Sequence, residues 1–135
     1  MQKAYLPRKT QTEEYQHHAG GLRYHGAGMI ISQLIKDGYM HGVDIPQSES
    51  FEAGMLFART EGIIPAPESC HAIAATIREA MKAKEAGEEK VILFCLSGHG
   101  LIDMPSYESY INGDLHDYAV SDDEIKKFLA TVPEV

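Results

Sequence analysis

The apolar run Val91-Ile92-Leu93-Phe94-Cys95-Leu96 stops at Ser97-Gly98-His99-Gly100. A hydroxyl, an imidazole and two glycines within four positions offer hydrogen-bonding and proton-carrying groups on a backbone that a ligand can approach closely. A short apolar run bounded by turn residues reads as a buried strand, and α/β folds gather ligands where such strands end, so a ligand should meet Ser97 to Gly100. A Ser-His-Asp triad from Ser97, His99 and Asp103 does not fit, because the three lie too close in sequence and no Gly-x-Ser-x-Gly elbow is present. Cys95, inside the run, reads as a small hydrophobe and not a nucleophile. Glu68 is the second candidate. It sits between the bend Ile63-Ile64-Pro65-Ala66-Pro67 and a helix start, where a carboxylate suits the positive end of the dipole. Near it, His71 reads as a half-buried helix residue and Glu61 as a solvated one. The third candidate is the loop Leu22-Arg23-Tyr24-His25, bracketed by Gly20, Gly21, Gly26 and Gly28, a glycine density that allows main chain to approach a ligand.

The elements that must position these groups follow from periodicity. Residues 1–18 carry charges, His17 and His18, and no period, and are expected to be an extended arm. Met29, Ile30, Leu34 and Ile35 predict a helix ending at Gly38, and His41 to Ile45 a short strand closed by Pro46. Ser48 or Ser50 is the expected N-cap of a second helix that buries Phe51, Met55, Leu56 and Phe57 and ends near Gly62. The two prolines of the bend forbid regular structure until a third helix at about Ser69. That helix shows Ile73, Ile77, Ala80 and Met81 on one face and stops at Gly87. The strand into Ser97 follows. After Asp103 the chain reads as irregular and aromatic, with Tyr107, Tyr110 and Tyr118, before Ser121-Asp122-Asp123-Glu124 opens a last helix through Leu129. This order implies an α/β class with a small parallel sheet flanked by helices. So thin a sheet must be covered on both faces, and the chain offers few elements to cover it.

Composition narrows the function classes. At 135 residues the chain is one ordinary domain. A net charge of -8, with 20 acids against 12 lysines and arginines in no stripe, argues against nucleic acid as partner. Cys70 and Cys95 lack metal-ligand spacing and suit a reducing cytoplasm better than a disulfide framework. No apolar stretch approaches the roughly 20 residues of a membrane helix, and the start lacks a signal-peptide core, so a cytoplasmic protein without a membrane partner is expected.

Taken alone, Ser97-Gly98-His99-Gly100 resembles the histidine motif of caspase-like cysteine proteases, but that chemistry needs a cysteine on a later strand and none follows His99. The fuller match lies elsewhere. Arg59-Thr60-Glu61-Gly62-Ile63-Ile64-Pro65-Ala66-Pro67-Glu68-Ser69-Cys70-His71-Ala72-Ile73, then Leu96-Ser97-Gly98-His99-Gly100-Leu101-Ile102-Asp103, resembles the C-terminal part of the tryptophan synthase β chains. The loop His18-Ala19-Gly20-Gly21-Leu22-Arg23-Tyr24-His25-Gly26 fits the same family upstream, in the right order. The likeness is greatest to the second, stand-alone subgroup, which carries Gly-Leu-Arg-Tyr-His-Gly and Ser-Gly-His-Gly. The better-known subgroup has aspartate at the position of Arg23 and arginine at that of His99.

The resemblance implies a partial fold-type-II domain of a pyridoxal-phosphate enzyme that joins indole to the β carbon of a serine derivative. It implies cofactor contacts from Ser97, which would meet the pyridine nitrogen, and from Gly98, Glu68 and the main chain of Gly21. It places Arg23 and His99 toward the substrate and the carbonyls of Tyr24 and Gly26 at a monovalent-cation site. A neutral hydroxyl leaves the pyridine nitrogen largely unprotonated, which favours elimination and replacement at the β carbon. A guanidinium at Arg23 would favour a phosphate leaving group, hence O-phosphoserine over serine. The family's Schiff-base lysine, in a His-Lys context, and its glycine-rich phosphate loop have no counterpart here. No catalytic residue is therefore assigned, no cofactor is expected to stay bound to this chain alone, and the chain alone should be inactive. The expected organisation is an arm over 1–18, a β-chain-like segment over 19–106 and a tail with a terminal helix over 107–135. The expected partner is the remainder of a β chain or a second copy, with a homo-oligomer formed through exposed apolar surface. A binding or assembly module without chemistry is the alternative.

Overall fold

A computed structural model describes residues 22, 27–117, 121, 123, 126, 127 and 130. Four helices order the chain: α1, Met29–Lys36; α2, Gln47–Glu61; α3, Pro67–Ala86; and α4, Met104–Asn112. Residues 27–43 fall in one compact unit and residues 44–117 in a second.

In the first unit α1 begins and ends where its apolar spacing predicts, with Gly38 just beyond its last turn. The expected strand from His41 to Ile45 forms no ladder among the described residues.

The second unit is built on α2 and α3. The face of α2 carrying Ser50, Phe51, Ala53 and Gly54 is buried. Against it α3 presents Cys70, Ile73 and Ala74, the i, i+3, i+4 set of one helical stripe. Ile45, Ala53, Ile73 and Ala74 form one apolar cluster, with Phe57, Ile77 and Phe94 packed on it. Phe51, Cys70 and Tyr107 form another. Phe51 is 1% and Tyr107 2% exposed, and their rings meet edge to face at 5.1 Å. Leu56, expected inside, is exposed, as are Ala80 and Met81. Gly62 and Gly87 terminate α2 and α3 in the left-handed conformation, as expected.

Neither Ser48 nor Ser50 caps α2. The N-cap position is Pro46, which has no side-chain donor or acceptor, and the capping carboxylate comes instead from Asp117, accepting from the Ser48 amide at 2.8 Å and from its hydroxyl. Ser50 is buried and meets His71. Arg78 of α3 donates twice to the Glu49 carboxylate and once, at 3.1 Å, to the Asp44 carbonyl, a bidentate brace between the two helices.

Two further expectations are revised. The stretch after Asp103 is helical: α4 starts with a proline in its first turn and stops at Gly113, and its Tyr107 is core. The run 91–96 makes no ladder among the described residues, yet it alternates over 91–94, Ile92 and Phe94 half-buried while Val91 and Leu93 are 101% and 95% exposed; Cys95, expected inside, and Leu96 are both exposed. Phe94 meets Phe57 edge to face at 6.0 Å. One side of the run lies on the helices and the other is bare, the pattern of a strand without neighbours. The expected helix from Ser121 to Leu129 lies largely outside the described residues. Among those residues no helix is long and apolar enough to cross a membrane.

Candidate functional site

The double-proline bend and the Ser97–Gly100 turn lie side by side. Pro65 and His99 form an isolated antiparallel bridge, and the Gly100 amide donates to the Ile64 carbonyl at 2.8 Å. Proline has no amide to give a ladder, so the pairing cannot extend through it, and the contact stays a single rung. Gly98 takes φ +73°, a left-handed turn that glycine adopts without strain, and a Cβ there would stand 3.4 Å from that of Ala66. Gly100 is buried so tightly that a Cβ would fall 2.9 Å from Ile64 Cγ2 and 3.0 Å from Tyr107 Cε2, besides striking the Pro65 carbonyl.

The joint is completed from the first turn of α3. Ser69 is 2% exposed; its hydroxyl donates to the Ser97 carbonyl and accepts from the Ser97 amide at 3.1 Å. One side chain therefore satisfies both main-chain groups of Ser97 and fixes where that residue leaves the surface. Ser97, Gly98 and His99 are themselves exposed, and Glu68, next to Ser69, is half-buried. The Leu101 amide donates to His99 Nδ1 at 3.3 Å. An amide can only donate, so Nδ1 accepts and the ring proton sits on Nε2. At His71 the logic reverses: Nδ1 lies 3.0 Å from the Pro67 carbonyl and 3.1 Å from Ser50 Oγ. A carbonyl can only accept, so Nδ1 carries the proton.

Beneath the joint lies a buried polar chain. The Tyr107 hydroxyl donates to the Pro65 carbonyl at 2.5 Å and stands 3.3 Å from Cys70 Sγ. With the phenol proton committed to the carbonyl, the thiol is the donor to the phenol oxygen. Burial pushes the Cys70 thiol up from its ordinary value, and the Glu68 carboxylate adds to the rise. Burial first, then the hydrogen bond with Cys70, pushes the Tyr107 phenol far up. Both groups are therefore neutral partners in a dry layer and not nucleophiles at neutral pH.

Four of the sequence-derived residues, Ser97, Gly98, His99 and Glu68, thus fall on two segments joined by Ser69. Gly21, Arg23, Tyr24 and Gly26 lie outside the described residues. Sequence reasoning missed Ser69 and Tyr107. Ser69 passes for an ordinary helix-start serine, and Tyr107 reads as part of an irregular aromatic stretch, although Pro105 before it and Gly113 after it are helix start and stop signals.

The family model of pyridoxal-phosphate dependent enzymes matches residues 2–98. The chain is 59% identical over 100 residues to tryptophan synthase beta chain 2 of Aquifex aeolicus, covering 74% of this chain and 23% of the relative. It is 61% identical over 98 residues to tryptophan synthase beta chain 2 of Methanosarcina mazei, covering 73% and 22%. To the tryptophan synthase beta chain of Thermococcus onnurineus it is 58% identical over 101 residues, covering 75% and 23%. The chain spans less than a quarter of the length of these curated relatives. By the extent of that match, the chain belongs to the family of pyridoxal-phosphate dependent enzymes, and its class is α/β.

Proposed function

We propose that this chain is the C-terminal portion of a tryptophan synthase β chain, with residues 19–106 as the β-chain-like segment, 1–18 as an arm and 107–135 as a tail. The complete enzyme condenses indole with serine or O-phosphoserine. The observation that carries this reading is the joint between Glu68-Ser69 and Ser97-Gly98, in a chain 58% to 61% identical to β chains over about 100 residues.

The residues present fit one edge of a pyridoxal phosphate site. Ser97 is exposed while its main chain is pinned, so its neutral hydroxyl is presented in one place, as a partner of a heterocyclic nitrogen must be. Gly98 adds no side chain to the neighbouring surface, and Glu68 is half-buried and adjacent in sequence to Ser69, whose side chain holds the Ser97 main chain. When bound, the cofactor supplies the electron sink for replacement at the β carbon. The chain's own share is to hold Ser97, Gly98, Glu68 and the main chain of Gly21 against the ring. His99, with its proton on Nε2, and Arg23 face the substrate, Arg23 selecting a phosphate leaving group. The carbonyls of Tyr24 and Gly26 ligate a monovalent cation. The bare side of 91–96 is covered in the complete β chain, where that run is a strand of the parallel sheet. The anchoring lysine and phosphate loop come from the complementary portion, in a cytoplasmic homo-oligomer.

The test is complementation. The chain is mixed with the N-terminal portion of a relative's β chain and pyridoxal phosphate, and the visible absorption of bound cofactor and the loss of indole are followed with L-serine and with O-phospho-L-serine. Absorption and turnover are expected only in the mixture, with O-phosphoserine the better donor and Arg23→Asp reversing the preference. A mixture that associates without binding cofactor would reject the reading in favour of an assembly module.

A further inference from the structure

We propose that Tyr107 is a positioning residue for the Ser97–Gly100 corner, gripping both sides of the joint from α4; the consequence for cofactor binding rests on the function proposed above. Pro65 is fully buried and, lacking an amide, has only its carbonyl to satisfy. That carbonyl receives the Tyr107 hydroxyl at 2.5 Å. The ring of the same side chain lies against Gly100 so closely that a single added methyl on Gly100 would stand 3.0 Å from Cε2. Oxygen on one segment and ring on the other make Tyr107 a clamp across the only rung, Pro65 with His99, that joins the two among the described residues.

The clamp is itself held in place. Phe51 of α2 meets its ring edge to face, and Tyr110, one turn further along α4, stacks on Phe51 at 5.8 Å. Cys70 of α3 reaches its oxygen, and Gly54 of α2 leaves room for that sulfur: a Cβ on Gly54 would come within 2.5 Å of Cys70 Sγ and 3.1 Å of the phenol oxygen. Three helices therefore converge on one hydroxyl. Removing that hydroxyl leaves the Pro65 carbonyl buried without a donor, and the cheapest relief is for the bend to swing toward water, carrying Ile64 away from the Gly100 amide.

Residue-resolved amide exchange by NMR on the whole chain separates a clamp from mere core filling. In Tyr107→Phe the protection of the Gly100 amide, divided by that of the central α2 and α3 amides, should fall about 10-fold, the equivalent of one hydrogen bond. Cys70→Ala disturbs the same core but spares the bond to Pro65, and should leave that ratio within about 2-fold of wild type. In the complemented mixture Tyr107→Phe should weaken pyridoxal phosphate binding about 5-fold or more and shift its absorption. An unchanged ratio in Tyr107→Phe, or an equal fall in Cys70→Ala, overturns the clamp. A fallen ratio with unaltered cofactor affinity and absorption overturns its link to the site. If the wild-type mixture binds no cofactor, the functional reading fails, while the exchange ratio still decides whether Tyr107 is a clamp.

Discussion

Replacing Ser69 by alanine should separate the positioning of Ser97 from its chemistry. The Ser69 hydroxyl makes two hydrogen bonds to the main chain of Ser97, one donated and one accepted. Each neutral bond contributes about 0.5–1.5 kcal/mol net, and a partner left buried without replacement costs about 1–3 kcal/mol. Ser97 is exposed, so water can reach its freed amide and carbonyl and the lower range applies. Ser69→Ala should therefore cost about 1–2 kcal/mol, which at a urea slope of about 1–3 kcal/mol/M lowers the midpoint by roughly 1 M. Ser97→Ala is the matched control: its hydroxyl sits on an exposed residue away from this tether, and its removal should change stability by less than about 0.5 kcal/mol. Urea titrations by far-UV circular dichroism, read beside the exchange rate of the Ser97 amide, measure both. The reasoning fails if Ser69→Ala unfolds at the wild-type midpoint with unchanged Ser97 exchange, because the two bonds would then hold nothing. It fails equally if the two variants lose the same stability. In the complemented mixture the two should converge in function while differing in stability, since each deprives the cofactor of a fixed hydroxyl.

Other substitutions probe the layers around that tether. Gly54→Ala gains about 1 kcal/mol of helix propensity but drives a methyl into Cys70 Sγ, and overpacking of about 1–3 kcal/mol should leave it less stable. Combining it with Cys70→Ala should recover at least about 1 kcal/mol relative to additivity in a double-mutant cycle, and strict additivity would refute the contact. Gly98→Ala places a side chain at φ +73°, which should cost about 1–2 kcal/mol in thermal unfolding; a neutral effect would show that the turn is free to relax. The hydroxyl and then the amide of Ser48 hold the Asp117 carboxyl below its ordinary range. A carboxylate depressed by folding stabilises above its unfolded value near 4, and that contribution is lost as pH falls through the lower folded value. Stability should thus decline below about pH 4, and Asp117→Asn should flatten that limb; an identical acid limb in the variant would refute the cap.

How much of this was legible in the sequence depends on how local each interaction is. The helices α1 to α3 and their glycine stops are carried by contacts within a few residues, and apolar spacing located them to within two positions except at the start of α2, where the N-cap is Pro46 and not Ser48 or Ser50. Ser97 and Glu68 were recognisable as residue types beside turn signals. The tether between their segments was not, because Ser69 and Ser97 are 28 positions apart and nothing in a buried serine says which main chain it serves. The cap of α2 was misplaced for the same reason: two serines stand where a cap belongs, but the acceptor arrives from Asp117, 69 residues away. At α4 the signals are present, Pro105 inside the start and Gly113 past the end, but Tyr107 and Tyr110 by their aromatic character suggest an irregular stretch as readily as one face of a helix.

The run 91–96 shows the limit most sharply. Its alternation holds over 91–94, Ile92 and Phe94 inward and Val91 and Leu93 outward, so the extended conformation of that part is written in its own residues. Whether it is a strand depends on ladder partners, and a strand's partners are the one feature that its own sequence does not encode. A corner whose interactions are all supplied within 44–117, Ser69 to Ser97 and Tyr107 to Pro65, should therefore keep its geometry whether or not the bare side of 91–96 is covered. If the corner orders only when the complementary portion is added, with Gly100 and Ser97 amides unprotected beforehand, then the sheet and not the Ser69 and Tyr107 contacts positions the site.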